Sequence, residues 1–448
     1  MSTRNVRPRP SPRHGPRRGR FAISGPPGRG ASAAFCAVAL LSTVNPSPAR
    51  AETNGDGLVR VAEIRTYGNR KTEPGILLHY CEFKVGDALT QAELDRKIER
   101  TKRNLLKTQF FARVNVFDLP RSDPGEAVVM LDVAEGSSWH LSASTRQVRL
   151  SKENVGGVAV TLGAEFGLER QRLYYEQPWI FGSRLAVGAS GFYEGGRQTQ
   201  IESDEGLTGE WFSHEEAGGE GLIGYEITHR FEAGLGFLGE YLNYYDGRFK
   251  EDPWGRFGVE PEAALFAARP FTEWDGRDDD VYPTEGVYAK IVSELSSPTV
   301  GDYDYAGVEG DVRGYVFPWR EFVWATRVKG GAMSDTTPYI RRISIRGSDG
   351  LRNPRSNLTV GTRALLVTGE IRRRLFRSPI FDAWFEGVAF VDAGRTWDPG
   401  QPFALAGLSY AFGPAIRVHM RKPFFFDWRA ELNLYDRPAF YATAHRAF

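Results

Sequence analysis

The sequence predicts an α+β module followed by an all-β transmembrane barrel of about sixteen antiparallel strands. Three segments differ in composition and pattern: a basic stretch of residues 1–51, a mixed segment of residues 58–135, and residues 137–448, where polar and apolar positions alternate. Such alternation arises when one face of each strand meets lipid and the other faces a polar interior. A transmembrane strand needs ~9–11 residues, so the last segment holds about sixteen strands with their connections.

The N-terminal segment predicts a signal peptide over residues 1–51. It contains nine Arg and no Asp, Glu or Lys, and a short apolar run at residues 33–41 precedes Ala49-Arg50-Ala51, a pattern typical of signal-peptide cleavage sites. A basic arm that binds nucleic acid is the alternative. Removing the nine positive charges takes the formal net charge from +1 to −8, and an acidic mature chain argues against a nucleic-acid partner.

Residues 58–135 predict a compact module with the element order β-α-α-β-β. A strand pattern at residues 59–67 is followed by a short helical segment at residues 71–80. Thr90-Gln-Ala-Glu93 is a capping box, which marks the start of a second helix. The apolar face of that helix is predicted at Leu94, Ile98, Thr101 and Leu105. The last two strands are predicted at residues 111–116 and 128–133, and the turn between them is predicted at residues 123–125.

The sequence predicts neither an enzyme nor a cofactor or metal site. Gly234-x-Gly236-x-x-Gly239 matches a dinucleotide-binding fingerprint, but no helical pattern follows it and it falls within an alternating strand. The seven His residues show no metal-ligand spacing along the chain, and the nucleophile motif G-x-S-x-G does not occur. Glycines in such a strand are better explained by crowding inside a barrel.

A lone carboxylate in an apolar strand is the most informative feature of the barrel segment. Asp392 lies in Phe390-Val391-Asp392-Ala393-Gly394, and an anion there must occupy the inner face, where it needs a cationic partner. Ile345-Arg346-Gly347 follows a turn-rich segment and supplies a guanidinium, which can hold a carboxylate through two hydrogen bonds. The pair predicts a loop folded back into the barrel and fixed to its wall.

The module resembles a POTRA domain, because Gly68-Asn69, Gly86-Asp87 and Phe110-Phe111 occur in the order expected of that family. Together with the barrel, the chain resembles the superfamily of BamA/TamA-type outer-membrane insertases and two-partner-secretion transporters. The turn at residues 178–182, the turn at residues 274–286 and the two motifs around Arg346 and Asp392 carry this resemblance.

The resemblance also implies roles for individual residues. Ile345, Arg346 and Gly347 correspond to the tip of an inward-folded loop, and Glu370 and Asp392, with Gly394, correspond to the inner-wall motif that receives the arginine. Val312-Arg313-Gly314-Tyr315 is a closer literal match to the tip, but its clean alternation places Arg313 in a strand. Phe448 corresponds to the terminal aromatic that assembly machinery recognises.

The resemblance implies an outer-membrane protein whose POTRA module lies in the periplasm and captures polypeptide clients, while the seam or interior of the barrel inserts or translocates them. The alternatives are a passive pore or structural barrel anchored to periplasmic partners by its POTRA module, and secretion of one dedicated partner through the barrel. The expected partners are polypeptide clients, outer-membrane lipids and periplasmic or assembly-complex proteins. Neither nucleic acid nor a cofactor is expected.

Overall fold

The computed structural model describes residues 57–443 with short gaps. The gaps are residues 124, 144–146, 169, 204–205, 249–260, 280–281, 320, 346–349, 353–359, 379–382, 402–406, 421–425 and 435–438. The signal peptide predicted at residues 1–51, the loop-tip residues Arg346 and Gly347, and the terminal Phe448 therefore lie outside the described residues. The expectations that concern them stay predictions.

The module is a four-stranded sheet with two helices. Its elements are β1 (Leu58–Tyr67), α1 (Pro74–His79), β2 (Ala88–Thr90), α2 (Gln91–Lys107), β3 (Phe111–Pro120) and β4 (Glu126–Glu135). The strand order is β2-β1-β4-β3, with β1 and β4 parallel and the other pairs antiparallel. Fifteen buried residues form one core: thirteen come from both helices and from β1, β3 and β4, and Cys81 and Phe83 come from the segment after α1. Neither helix in the described part of the chain is long and apolar enough to cross a membrane.

The capping box predicted at the start of α2 is confirmed. Thr90 Oγ1 accepts a hydrogen bond from the Glu93 N–H at 3.3 Å, and the Glu93 carboxylate accepts one from the Thr90 N–H at 3.0 Å. The predicted apolar face is also confirmed, because Leu94, Ile98, Thr101 and Leu105 are the buried residues of the helix. The first helix begins later than predicted, at Pro74, whose fixed φ suits the first helical turn.

The barrel segment forms one sixteen-stranded antiparallel sheet, which confirms the predicted fold class. Its strands run from 5 to 23 residues, so several are longer than the bilayer requires. Residues of the first strand contact residues of the last but one, which brings the two ends of the sheet together. The strands are β5 (Trp139–Ala143), β6 (Gln147–Val155), β7 (Val160–Gly167), β8 (Arg170–Gln177), β9 (Leu185–Ser203), β10 (Gly206–Thr228), β11 (Phe231–Arg248), β12 (Glu262–Asp275), β13 (Gly286–Ser296), β14 (Tyr305–Trp319), β15 (Phe322–Met333), β18 (Arg363–Arg377), β19 (Ala383–Trp397), β20 (Ser409–Met420), β21 (Phe426–Asn433) and β22 (Ala439–Thr443); β16 (Ile343–Ser344) and β17 (Val360–Gly361) form a separate pair.

The two faces of the barrel wall differ in chemistry. Along β18 up to Arg372 and along β19 and β20, buried positions largely alternate with exposed ones, and all the Asp and Glu residues of these strands are at buried, inward positions. The outward positions are exposed and largely apolar, as a lipid-facing surface requires. Examples of the outward residues are Val367, Ile371, Val391, Phe412 and Ile416.

Residues 334–362, which connect β15 to β18, are called the inner segment here. A short 3-10 turn (Tyr339–Arg341), β16 and β17 are its regular parts. Ile343, Ile345 and Leu351 of this segment are buried against the inner faces of β18, β19 and β20. Tyr339 is buried against a second apolar cluster that includes residues of β11, β12 and β14. The inner segment therefore contacts two separate parts of the barrel wall.

Candidate functional site: an arginine clamp on the inner wall

Glu370 and Asp392 face the barrel interior from neighbouring strands. In the antiparallel register of β18 and β19, Thr368 lies opposite Asp392 and Glu370 lies opposite Phe390, so the two acids are diagonal neighbours on one face. Their exposed fractions are 3% and 0%. Two carboxylates this deeply buried require cations and hydrogen-bond donors, because the cost of removing them from water is otherwise not recovered.

Arg352 of the inner segment supplies that partner. Its Nε and Nη2 donate to the two carboxylate oxygens of Asp392 at 2.7 and 2.6 Å, which is the bidentate geometry that guanidinium favours. Its Nη1 donates to Glu370 Oε1 at 2.8 Å, and its backbone N–H donates to Asp392 at 3.2 Å. One side chain thus fixes the inner segment to two adjacent strands of the wall, and we call this arrangement the arginine clamp.

Two further arginines on the wall complete the charge balance around Glu370. Arg372 Nε donates to Glu370 Oε2 at 2.8 Å, and Arg417 donates to both Glu370 oxygens at 3.0 and 2.6 Å. Arg417 also lies 4.0 Å from Glu386, which in turn contacts His419 at 3.5 Å. Three buried carboxylates therefore face three buried guanidiniums, and the network approaches neutrality inside the wall.

Apolar contacts position the clamp. The Arg352 guanidinium lies over the ring of Phe390, 3.8 Å from its centroid, in a cation–π contact. The Leu351 N–H donates to the Ile345 carbonyl at 2.6 Å, which closes a tight loop between the two residues. Gly394 leaves the space that Ile345 occupies, because a Cβ on Gly394 would lie only 3.0 Å from the Ile345 Cδ1 atom.

The sequence prediction named the right kind of contact but a different arginine. The residue that the structure brings to both Glu370 and Asp392 is Arg352, which the sequence prediction did not name. Arg346 and Gly347 lie outside the described residues, so the predicted contact of Arg346 with Asp392 stays a prediction. Leu351-Arg352 repeats the apolar–arginine order of Ile345-Arg346 within the same segment, and this signal could have identified it.

Arg313, the alternative loop-tip residue, lies inside β14. Its Nη2 donates to Asp311 at 2.7 Å, and Arg327 of β15 donates to the same carboxylate at 2.7 Å. Arg313 is therefore a wall residue in a local ion-pair network. Ile345 and Gly394, both named from the sequence, are in contact with each other, whereas Phe448 lies outside the described residues.

A second anchor holds the other end of the inner segment. Arg341 pairs with the buried Glu240 of β11, and Arg342 lies 3.3 Å from Asp398, just beyond β19. In the strand order of the sheet, β11 and β19 are separated by β12, β13, β14, β15 and β18. The contacts of Arg341 and Arg352 therefore lie on well-separated parts of the wall, whereas Arg342 contacts the wall beside β19. The arrangement contains no constellation of nucleophile and base; its chemistry is that of a structural fastening.

The module contacts the barrel beside a cavity of about 1100 Å³. Thr72 accepts a hydrogen bond from Asn154 at 2.7 Å, the Glu73 N–H donates to the Gly157 carbonyl at 3.0 Å, and His79 lies 2.9 Å from Glu226. The lining of the cavity includes Tyr80 and residues 107–110 of the module together with residues of β6 to β13.

The comparisons with known proteins agree with this architecture. The family model described as the Omp85 superfamily domain matches residues 154–420, and the POTRA model, described as a surface antigen variable number repeat, matches residues 59–136. No curated protein matches the sequence.

Several solved structures share the fold. BamA from Haemophilus ducreyi lacking POTRA domains 1–3 is 16% identical, with a TM-score of 0.53, and the match covers 86% of this chain and 83% of that one. CdiB from Acinetobacter baumannii is 13% identical with a TM-score of 0.51, covering 87% and 73%. CdiB from Escherichia coli is 13% identical with a TM-score of 0.54, covering 86% and 75%. Identities this low show the fold alone, whereas the family model spans more than half of the sequence. The chain therefore belongs to the Omp85 superfamily.

Proposed function

We propose that this protein inserts or translocates polypeptides at the outer membrane, with its POTRA module capturing client segments on the periplasmic side. Membership in the Omp85 superfamily and the barrel fold imply the outer-membrane location. The observation that carries the proposal is the position of the module, which contacts the barrel beside a cavity lined by both parts. A client segment bound to the module is therefore already next to the barrel interior.

The sheet of the module offers an edge for strand addition. Among the described residues, β3 pairs with β4 only, which leaves its other edge without a strand partner. A polypeptide added at such an edge is held by backbone hydrogen bonds, so many different sequences can bind. A protein that handles varied clients needs this tolerance.

The cavity beside the module suits an extended backbone. Arg172 and Arg269 lie 2.8 and 3.4 Å from Glu220 on its wall, and Lys107 of the module reaches its rim. Backbone N–H and C=O groups that leave water must find hydrogen-bond partners. The polar lining supplies both donors and acceptors for a segment in transit.

The ends of the sheet favour insertion over passage through the interior. Among the described residues, β5 and β22 each pair with one neighbouring strand and not with each other. Unpaired strand edges are costly in lipid, so a client strand could pair with these ends. The inner segment, in contrast, occupies space in the interior that a passive pore would leave open.

A reconstituted folding assay tests the proposal. The purified protein is placed in liposomes, and a urea-denatured eight-stranded outer-membrane protein is added as client. Folded client is measured by its heat-modifiable migration in gel electrophoresis. We expect faster client folding than in empty liposomes, and a loss of this acceleration when residues 57–136 are deleted. The Arg373→Ala variant, which removes an exposed ion pair with Glu321 and a cation–π contact with Phe322, is the matched control and should retain full activity.

The same preparation distinguishes the alternative function. Client folding no faster than in empty liposomes, combined with steady ion conductance in planar bilayers, would replace the proposal with a passive pore. Acceleration that survives deletion of the module would assign the activity to the barrel alone.

A further inference from the structure

We propose that His79, Glu226 and His229 form a binding site for a divalent transition metal, best suited to Zn²⁺, that ties the POTRA module to the barrel. His79 is the last residue of α1, Glu226 lies near the end of β10, and His229 lies in the turn before β11. Spacing along the sequence predicted no metal site, because the ligands come from two domains that meet only in the folded chain.

The three side chains converge on one point. His79 Nε2 lies 2.9 Å from Glu226 Oε2, and His229 Nδ1 lies 2.8 Å from Glu226 Oε1. One potential ligand atom from each residue lies within 4.8 Å of the other two. In a tetrahedral zinc site with bonds of ~2.0–2.2 Å, ligand atoms are roughly 3.3–3.5 Å apart. Both histidine–carboxylate separations are shorter than this value, so a cation placed among the three ligands requires side-chain rotations that widen them.

Two of these atoms are buried and have no well-aligned hydrogen-bond partner among the described residues. His229 Nδ1 and Glu226 Oε1 lie 2.8 Å apart as an ion pair, but the contact is poorly aligned for a hydrogen bond. Buried polar atoms are nearly always satisfied, and an exception calls for a ligand, an ion or a strained role. A cation between the imidazole nitrogen and the carboxylate would satisfy both atoms at once.

The surroundings hold the ligands in place and limit access by water. The Trp179 ring lies 4.3 Å from the His79 ring, and its Nε1–H donates to Glu226 Oε2 at 3.4 Å. The Glu226 backbone N–H donates to the Arg184 carbonyl at 2.9 Å, which fixes the strand end that carries the carboxylate. Hydrogen bonds and packing of this kind orient metal ligands and strengthen binding.

The donor set selects the metal class. Two imidazole nitrogens and one carboxylate oxygen suit Zn²⁺ and related transition metals, and they leave a fourth position for water. Mg²⁺ and Ca²⁺ prefer sites made of oxygen ligands, so they should not compete. These two ions therefore serve as specificity controls.

A metal here would act as a removable fastening between the two domains. The other described contacts across this boundary include the hydrogen bonds of Asn154 with Thr72 and of Glu73 with Gly157, at 2.7 and 3.0 Å, and a wide ion pair of 3.7 Å between Lys107 and Asp275. Coordination bonds from both domains to one ion would add a stronger link. Metal supply would then control whether the module stays docked at the cavity.

The binding test uses the full chain in detergent, purified without a polyhistidine tag. Isothermal titration with ZnCl₂ should show one strong site per chain, and elemental analysis after dialysis should confirm one bound zinc. His79→Gln and His229→Gln should each weaken binding by at least about tenfold, as loss of one of three ligands requires. His140→Gln is the matched control, because His140 pairs with Glu153 of β6 and lies outside the three-ligand cluster. No strong zinc binding, or equal binding by the double glutamine variant, would overturn the site.

Limited proteolysis tests the fastening itself. Residues 136–138 connect the module to the barrel, and cleavage there should slow when ZnCl₂ is present. MgCl₂ should have no effect, and His79→Gln should abolish the zinc protection while His140→Gln retains it. Zinc that binds at one equivalent but leaves cleavage unchanged would overturn the link between the domains.

Discussion

Removal of the Arg352 side chain should cause the largest loss of stability of any single change in the inner segment. Arg352→Ala leaves Asp392, which is fully buried, without the two side-chain hydrogen bonds at 2.7 and 2.6 Å that neutralise it. Loss of one partner of a buried ion pair typically costs ~3–5 kcal/mol, because the remaining charge is uncompensated. Glu370 is affected less, since Arg372 and Arg417 still contact it. We therefore expect a loss of ~3–5 kcal/mol that originates at Asp392.

Removal of the Asp392 side chain should lower the free energy of unfolding less than removal of the Arg352 side chain, and this difference follows from the contacts described above. Asp392→Ala leaves Arg352 with its hydrogen bond to Glu370 at 2.8 Å and its cation–π contact with Phe390. The remaining guanidinium is partly satisfied, so a loss of ~1–3 kcal/mol is expected. The double variant should lose less stability than Arg352→Ala alone and should resemble Asp392→Ala, because its second substitution removes the charge that the first one left unpaired.

The measurement is the urea midpoint of the barrel in detergent micelles, followed by tryptophan fluorescence and by heat-modifiable migration. Arg373→Ala is the control, since both members of the Arg373–Glu321 pair are more than half exposed and such pairs contribute only ~0–1 kcal/mol. Strictly additive losses in the double variant would refute the pairing of Arg352 with Asp392. If Arg352→Ala lowers the stability against urea no more than Arg373→Ala does, the interior around the clamp is filled with water.

Three further predictions follow from the same contacts. Gly394→Val should lower the free energy of unfolding by ~1–3 kcal/mol in the same assay, because the new Cβ would lie 3.0 Å from the Ile345 Cδ1 atom. Arg346→Ala should lower it less than Arg352→Ala, since Arg352 already occupies both oxygens of Asp392; an equal loss would give both arginines a place in the clamp. In the isolated module, burial raises the pKa of Glu135, but three hydrogen bonds from Thr72 and Lys71 outweigh it and hold the pKa below its ordinary value. The stability that Glu135 contributes is therefore present above its unfolded pKa of roughly 4.3 and is lost as the pH falls from there through the lower pKa of the folded state. Urea unfolding followed by circular dichroism should show that the free energy of unfolding decreases over this pH range. Glu135→Gln should make this decrease smaller.

Local patterns predicted the fold well where neighbouring residues decide the structure. The capping box at Thr90 and Glu93 depends on residues three apart, and the strands of the barrel follow a period of two, so both were visible in the sequence. β2 was missed because it has only three residues and exists through its pairing with β1. Several strand lengths were underestimated, because hairpins such as the one of β10 and β11 extend beyond what a bilayer requires.

The sequence predicted the two acidic residues of the candidate site but not Arg352. Glu370 and Asp392 lie on regular strands, so their inward orientation follows from alternation, and the structure pairs both with an arginine. The arginine itself lies in a non-repetitive segment, where no period relates sequence position to direction. Arg346 and Arg352 are both compatible with a folded-back loop, and only the contacts of the folded chain show that Arg352 reaches the wall. The His79–Glu226–His229 cluster was not predicted, because its residues are far apart in the sequence and belong to two domains that meet only in the folded chain.

The two anchors of the inner segment have a mechanical consequence. A cylinder with a single-layer wall bends easily out of round, but a tie between separated points on the wall resists that deformation. Arg341 on Glu240 and Arg352 on Asp392 make the inner segment such a tie, with its ends on β11 and β19. Any widening that separates the ends of the sheet must change the distance between these points, so release of one ion pair and ovalisation of the barrel should occur together.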